Sequence, residues 1–195
     1  MKAYYFKHLL KFKIPGGTSR GILNDKESWF IIIINGDNYG IGECSLIKGL
    51  SPDPLSTFEL KLKEICRKIH LGFANLSLEL GSYPSILFGL ETAFSSFESK
   101  DPFVFSKSSL TTGEGSLSIN GLVWMGKKSF MKSQIKEKIL SGFNCIKIKV
   151  GALDFDLECE ILKSLRSEYS ESDIEIRLDA NGSFSLDSAF EKLEK

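Results

Sequence analysis

The chain is poor in the residues that build many familiar active sites. Its 195 residues include two histidines, His8 and His70, and four cysteines, Cys44, Cys66, Cys145 and Cys159. Two isolated histidines are thin material for a histidine-based catalytic triad. No two cysteines form a C-x-x-C pair, and their spacings match no zinc pattern. They read as reduced thiols used as small buried hydrophobes. The longest apolar run, Trp29 to Ile34, is far too short to span a bilayer. The N-terminus has no signal-peptide h-region, so the expected compartment is cytoplasmic. Lys plus Arg and Asp plus Glu each number 25, for zero formal net charge. That balance gives no support for a nucleic-acid or membrane partner. No G-x-G-x-x-G follows the first strand of the second half, which reads Asn120-Gly121-Leu122-Val123-Trp124-Met125-Gly126, so a dinucleotide-binding domain is disfavoured.

What is present is β patterning followed by βα alternation. Residues 3–14 read as a strand, Pro15 to Gly21 as a flexible loop, and Ser28 to Asn35 and Tyr39 to Cys44 as an antiparallel pair around a tight turn at Gly36-Asp37-Asn38. After a loop at 45–52, Asp53 or Ser56 is placed to cap a helix carrying Phe58, Leu62, Ile65, Cys66 and Ile69. A second helix covers 85–99. Residues 1–100 thus form a small α+β domain, and 101–115, rich in Ser, Thr and Gly, a linker. From 116 to 195, strands (117–124, 144–150, 174–179) alternate with helices (128–141, 154–167, 185–195). The expected apolar positions are Phe130, Ile135, Ile139 and Leu140 in the first helix, and Leu157, Ile161, Leu162 and Leu165 in the second. In the third they are Leu186, Ala189, Phe190 and Leu193. This alternation predicts a parallel sheet with helices outside, either open or the start of a (β/α) barrel. A complete barrel takes ~250 residues, so three units are an incomplete one. The absence of a C-cap signal before Lys195 suggests a fragment of a longer protein.

The most informative segments are Cys145-Ile146-Lys147-Ile148-Lys149-Val150 and Ile174-Glu175-Ile176-Arg177-Leu178-Asp179. Side chains two apart on a strand share a face, roughly 6.6 Å apart. Lys147 and Lys149 therefore point one way, and Ile146, Ile148 and Val150 the other. Glu175, Arg177 and Asp179 likewise oppose Ile174, Ile176 and Leu178. The apolar faces pack on helices, which directs two lysines and an aspartate to the other side. Lys149 and Asp179 lie near the C-terminal ends of their strands, where parallel barrels form active sites. A lysine among apolar walls and near a second cation can act as a general base. An aspartate offers the oxygen ligand that Mg²⁺ prefers. Together they suit proton abstraction next to a carboxylate.

Each residue also has a structural reading. Asp179 suits a helix N-cap or a turn before Asn181-Gly182, Glu175 and Arg177 a structural interior ion pair or packing positions, and Glu43 a structural strand position. Lys147 and Lys149 suit a solvated edge, Arg20 the surface, Asn120 a strand end, and Trp124 and Met125 the core or rim.

With these motifs the chain resembles the enolase superfamily, and within it the o-succinylbenzoate synthases of menaquinone synthesis. The resemblance rests on Lys147-Ile148-Lys149 as the K-x-K strand, Arg177-Leu178-Asp179-Ala180-Asn181 as the metal-ligand strand, and Ser118-Ile119-Asn120-Gly121-Leu122 as the first barrel strand. Gly40-Ile41-Gly42-Glu43-Cys44 and Lys48-Gly49-Leu50-Ser51-Pro52 resemble the capping domain. The resemblance implies an α+β capping domain followed by the first part of a TIM-like barrel. It implies Lys149 as the base, Lys147 as its tuning partner, Asp179 as a Mg²⁺ ligand (Mn²⁺ a possible substitute) and Asn181 as support for the metal shell. Arg20, Asn120, Gly49 and Ser51 become candidate contacts for a small-molecule carboxylate substrate. The implied reaction dehydrates 2-succinyl-6-hydroxy-2,4-cyclohexadiene-1-carboxylate to 2-succinylbenzoate. The family's other two carboxylate ligands and its second barrel lysine lie on later strands, so the isolated chain is expected to be inactive. The same motifs fit N-acylamino acid or dipeptide racemases and muconate cycloisomerases. A non-catalytic chain that binds a partner through open strand edges is the reading from another class.

Overall fold

The computed structural model describes residues 1–18, 21–151 and 153–195. They fall into two compact units: Met1–Lys13 with Asn24–Ser116, and Ile14–Leu23 with Leu117–Lys195. The segment read as a linker thus groups with the first unit, and holds a short helix α4, Ser109–Thr112, closed by a Ser108/Thr111 capping box. No helix among the described residues is long and apolar enough to cross a membrane.

The first unit is built on an antiparallel sheet of β1 (Lys2–Thr18), β2 (Gly21–Asn35) and β3 (Asn38–Ser45), with β2 in the centre, although Ile14–Thr18 of β1 and Gly21–Leu23 of β2 group with the second unit. A loop was expected at 15–21, but β1 runs on through Thr18 and β2 begins at Gly21, while residues 19 and 20 lie outside the described residues. Pro15 is tolerated because β1 is an edge strand, where a missing N–H breaks no central ladder. The β2–β3 register runs from Ser28↔Ser45 to Asn35↔Asn38, and Gly36 supplies the positive φ (62°) of the two-residue turn. Alternation along β2 buries Trp29, Ile31 and Ile33. Against this face pack α1 (Phe58–Arg67), a 3₁₀ turn at Ile69–Leu71, α2 (Phe73–Ser77) and α3 (Pro84–Glu98).

Helix α3 lies directly on β3, and glycines make that possible. A Cβ on Gly42 would stand 1.8 Å from the Gly89 carbonyl oxygen, and one on Gly40 2.3 Å from that of Ala93. Ser96, buried on α3, accepts a bond from the Ile41 N–H at 2.9 Å and so covers the outer edge of β3. Asp53 does not cap α1, whose N-cap is Thr57 with no side-chain bond. Its buried carboxylate accepts the Ser85 N–H (3.0 Å) and hydroxyl (2.8 Å) and caps α3 instead.

The second unit contains a parallel sheet in the order β4 (Gly121–Val123), β5 (Cys145–Lys149), β6 (Glu175–Asp179). It alternates with α5 (Lys128–Leu140), α6 (Phe155–Glu168) and α7 (Leu186–Glu194). The helix-side core holds Val123, Met131, Ile135, Ile146, Ile148, Val150, Ile161, Leu165 and Ile174. Two expectations need correction here. In α5 the buried stripe is Met131–Ile135, one residue out of phase with Phe130, which is exposed along with Leu140. In α7 no residue is buried, and Leu186, Phe190 and Leu193 are exposed, because β6 is the sheet's edge and α7 has packing on one side only. Leu178 is half-exposed for the same reason and lines an apolar cavity of about 170 Å³ with Val150, Phe155, Leu162, Ala180 and Phe184.

Candidate active site at the strand ends

Parallel pairing in register brings the charged residues together. Lys147 pairs with Arg177 and Lys149 with Asp179, while Val123 pairs with Ile148, so Trp124 follows level with Lys149 and Asp179. The Ile146, Ile148 and Val150 side chains are buried under the helices, which leaves Lys147 and Lys149 half-buried on the other face. The site is therefore a consequence of period-2 alternation in two adjacent strands.

Asp179 is the hub. Its Oδ2 meets Lys147 Nζ at 2.8 Å, and its Oδ1 accepts the Asn181 N–H at 2.9 Å. The Lys147 hydrogen bond, then the Asn181 N–H, then the charges of Lys147 and Lys149 hold its carboxyl below the usual aspartate range. Asp179 thus makes the turn contact read from the sequence and also pairs with Lys147. Asn181, at φ 49°, returns its side-chain amide to the Asp179 carbonyl at 3.2 Å. Lys149 makes no ion pair among the described residues. Its Nζ stands 4.7 Å from the centroid of the Trp124 ring.

Two groups that sequence reasoning did not single out support this cluster. Gln134 on α5 receives the Trp124 N–H at its Oε1 and donates its Nε2 to the Trp124 carbonyl, both at 3.0 Å. Glu158, buried in the first turns of α6, accepts the Gly151 N–H at 2.8 and 2.9 Å and the Leu153 N–H at 3.1 Å. It thereby fixes the loop that leaves Lys149. A Cβ on Gly151 (φ 91°) would lie 1.7 Å from the Ser183 hydroxyl, so the loops after β5 and β6 touch. A polar residue inside an amphipathic helix is the only sequence signal either group carried.

The other candidates fall elsewhere. Asn120 is level with Cys145 and Glu175, four residues below Asp179 and so ~13 Å along the strands, at the opposite end of the sheet. The register does not bring it to the cluster. Gly49 and Ser51 belong to the first unit. Gly49 takes a positive φ of 81°, and Ser51 accepts the Ile47 N–H at 2.9 Å, closing its own loop. Arg20 lies outside the described residues. Glu175 and Arg177 form a 2.6 Å ion pair that is more than half exposed rather than interior. Glu43 is structural, bonded by the Ser28 hydroxyl (2.6 Å) and Lys26 (2.9 Å), which lower its pKa in that order. Burial pushes the Cys44 thiol up, and that of Cys66 to about 11, so both are inert packing groups.

A metal centre is only part-built. Asp179 offers anionic oxygen suited to Mg²⁺, but no three metal-ligating side chains gather among the described residues, and Lys147 already engages one Asp179 oxygen.

No family model matches the chain. It is 35% identical, over its whole length, to o-succinylbenzoate synthase of Desulfotalea psychrophila, of which it spans 61%. The crystal structure of MenC from that organism superposes with a TM-score of 0.81 at 30% identity, covering 99% of this chain and 60% of that one. The chain has the architecture of the enolase superfamily. Its two units are the α+β capping domain and the start of that superfamily's barrel. Two further superpositions share the fold. One is the o-succinylbenzoate synthase of Thermosynechococcus elongatus, complexed with Mg in the active site (TM-score 0.72, 19% identity, 100% of this chain and 56% of that one). The other is a dipeptide epimerase of Cytophaga hutchinsonii (TM-score 0.72, 20% identity, 98% and 54%). The chain thus spans a little over half the length of the relatives it matches.

Proposed function

We propose that these units belong to an o-succinylbenzoate synthase-like lyase of menaquinone synthesis. It would act in the cytoplasm on 2-succinyl-6-hydroxy-2,4-cyclohexadiene-1-carboxylate and release 2-succinylbenzoate and water. The observation that carries the reading is the in-register placement of Lys149 beside Asp179, with Lys147 bonded to that aspartate, at the C-terminal ends of parallel strands. The 35% identity to a curated synthase supports this substrate over other carboxylates.

Lys149 carries the chemistry. Its neutral amine takes the proton α to the substrate carboxylate, and the C–H electron pair moves into the ring. The resulting ammonium returns the proton to the departing hydroxyl as the C–O bond breaks, and water leaves. One lysine serving both steps implies departure on the face from which the proton was taken. Lys147 holds Asp179 and adds a second positive charge to the face that receives an anionic substrate. Asp179 is this chain's candidate ligand for Mg²⁺ or Mn²⁺, with Asn181 orienting it. The remaining ligands are not among the described residues.

Substrate profiling of the protein as its cell makes it tests the reading. Turnover of the cyclohexadiene carboxylate, with dipeptides such as L-Ala-L-Glu left unepimerised, is expected. Epimerisation of dipeptides without dehydration of the cyclohexadiene substrate would replace it.

A further inference from the structure

The residue that follows β4 is held in an unusual way. Trp124 follows β4, an edge of the parallel sheet, and both its peptide groups are engaged by one side chain. The Gln134 amide accepts the Trp124 N–H and donates to the Trp124 carbonyl, as a neighbouring strand's peptide would. Gln134 sits in the middle of α5, which is anchored by the buried Met131 and Ile135, so the clamp is tied to the core. With the backbone fixed, the indole retains only its own two side-chain torsions. It stands level with Lys149, 40% exposed, and presents its ring to the Lys149 Nζ at 4.7 Å. The face of an indole carries negative quadrupole density and attracts an ammonium. A lysine on a four-carbon stem otherwise samples many rotamers.

We propose that Trp124, clamped by Gln134, is the positioning residue for Lys149: it parks the amine over one spot at the strand ends and screens one side of it, so that substrate meets the base from the open side. This rests on the reading of Lys149 as the base.

The arrangement is testable without turnover, so its failure is distinct from a failure of the proposed reaction. The protein is labelled with ¹³C at lysine Cε, and the Lys149 signal is assigned as the one lost in Lys149→Arg. Ring current from Trp124 is expected to displace that signal upfield of the bulk lysines. Trp124→Leu should return it to the bulk, Trp124→Phe should retain a smaller displacement, and Gln134→Leu should reduce it while Trp124 is intact. A Lys149 signal within the bulk in the unsubstituted protein overturns the proposal, whatever the variants do. So does a displacement that survives Trp124→Leu. A displacement unchanged by Gln134→Leu overturns the role of Gln134.

Discussion

At the residue scale, a few buried polar atoms set the geometry of the strand ends. Glu158 shows it best. Its carboxylate is the acceptor for N–H groups of the loop that leaves Lys149, and it is almost wholly buried. Removing it strands part-buried donors, which costs more than a surface bond. We expect Glu158→Ala to destabilise the second unit by about 2–3 kcal/mol in urea titration, with Glu158→Gln costing less because one acceptor oxygen remains. An Ala variant as stable as the parent would show that the loop is held by something else. The lysines and aspartate of the site were legible in the sequence because alternation alone assigns them a face. Glu158 and Gln134 were not. Each acts through a bond back to the backbone of a preceding strand or its loop, and nothing in helical periodicity announces such a partner. Asp53 was misassigned for a related reason, since its capping partner Ser85 is 32 residues away.

At the element scale, the contact between α3 and β3 depends on missing side chains. Gly40 and Gly42 resemble a family motif, yet their role is packing: the helix backbone occupies the space a Cβ would take. Gly42→Ala is expected to lower stability by about 1–3 kcal/mol or to abolish the contact, measured by thermal unfolding. An unchanged Tm would contradict the packing. Helix α1 carries a different device. Glu64 is bonded by Lys68 (2.6 Å) and Lys61 (3.0 Å), and those bonds bring its carboxyl to about 2 from an ordinary value of 4.5. A carboxyl depressed in the folded state contributes stability above its unfolded pKa and loses it as pH falls toward the folded one. The first unit should therefore weaken between pH 4.5 and about 2, and Glu64→Gln should flatten that dependence. An identical acid-unfolding profile in the variant would remove Glu64 from the account. The element types were read correctly from the sequence over most of the chain, but phase and extent were not always. In α5 both Phe130 and Met131 fit an apolar stripe, and only the sheet decides which one is inside. In β1 the Pro15-Gly16-Gly17 stretch carries every local mark of a loop, and edge position overrides it.

At the scale of the whole molecule, the described residues hold an α+β unit and a three-stranded parallel sheet whose outer strands, β4 and β6, each pair on one side within it. Leu186 is 92% exposed and Phe190 80%, on a helix with no buried residue. Exposed apolar surface beside an unpaired strand edge favours association. The 195-residue chain produced alone is expected to self-associate with rising concentration in light scattering. A monodisperse monomer at high concentration would mean these surfaces are covered in a way the fold does not show.

The role proposed for Lys149 as the base is read from the rate of 2-succinylbenzoate formation by Lys149→Ala, set against the parent protein with the same Mg²⁺. Loss of a positioned general base predicts a fall of about 10²–10⁴-fold with the fold intact. A variant that retains the parent rate would contradict the account.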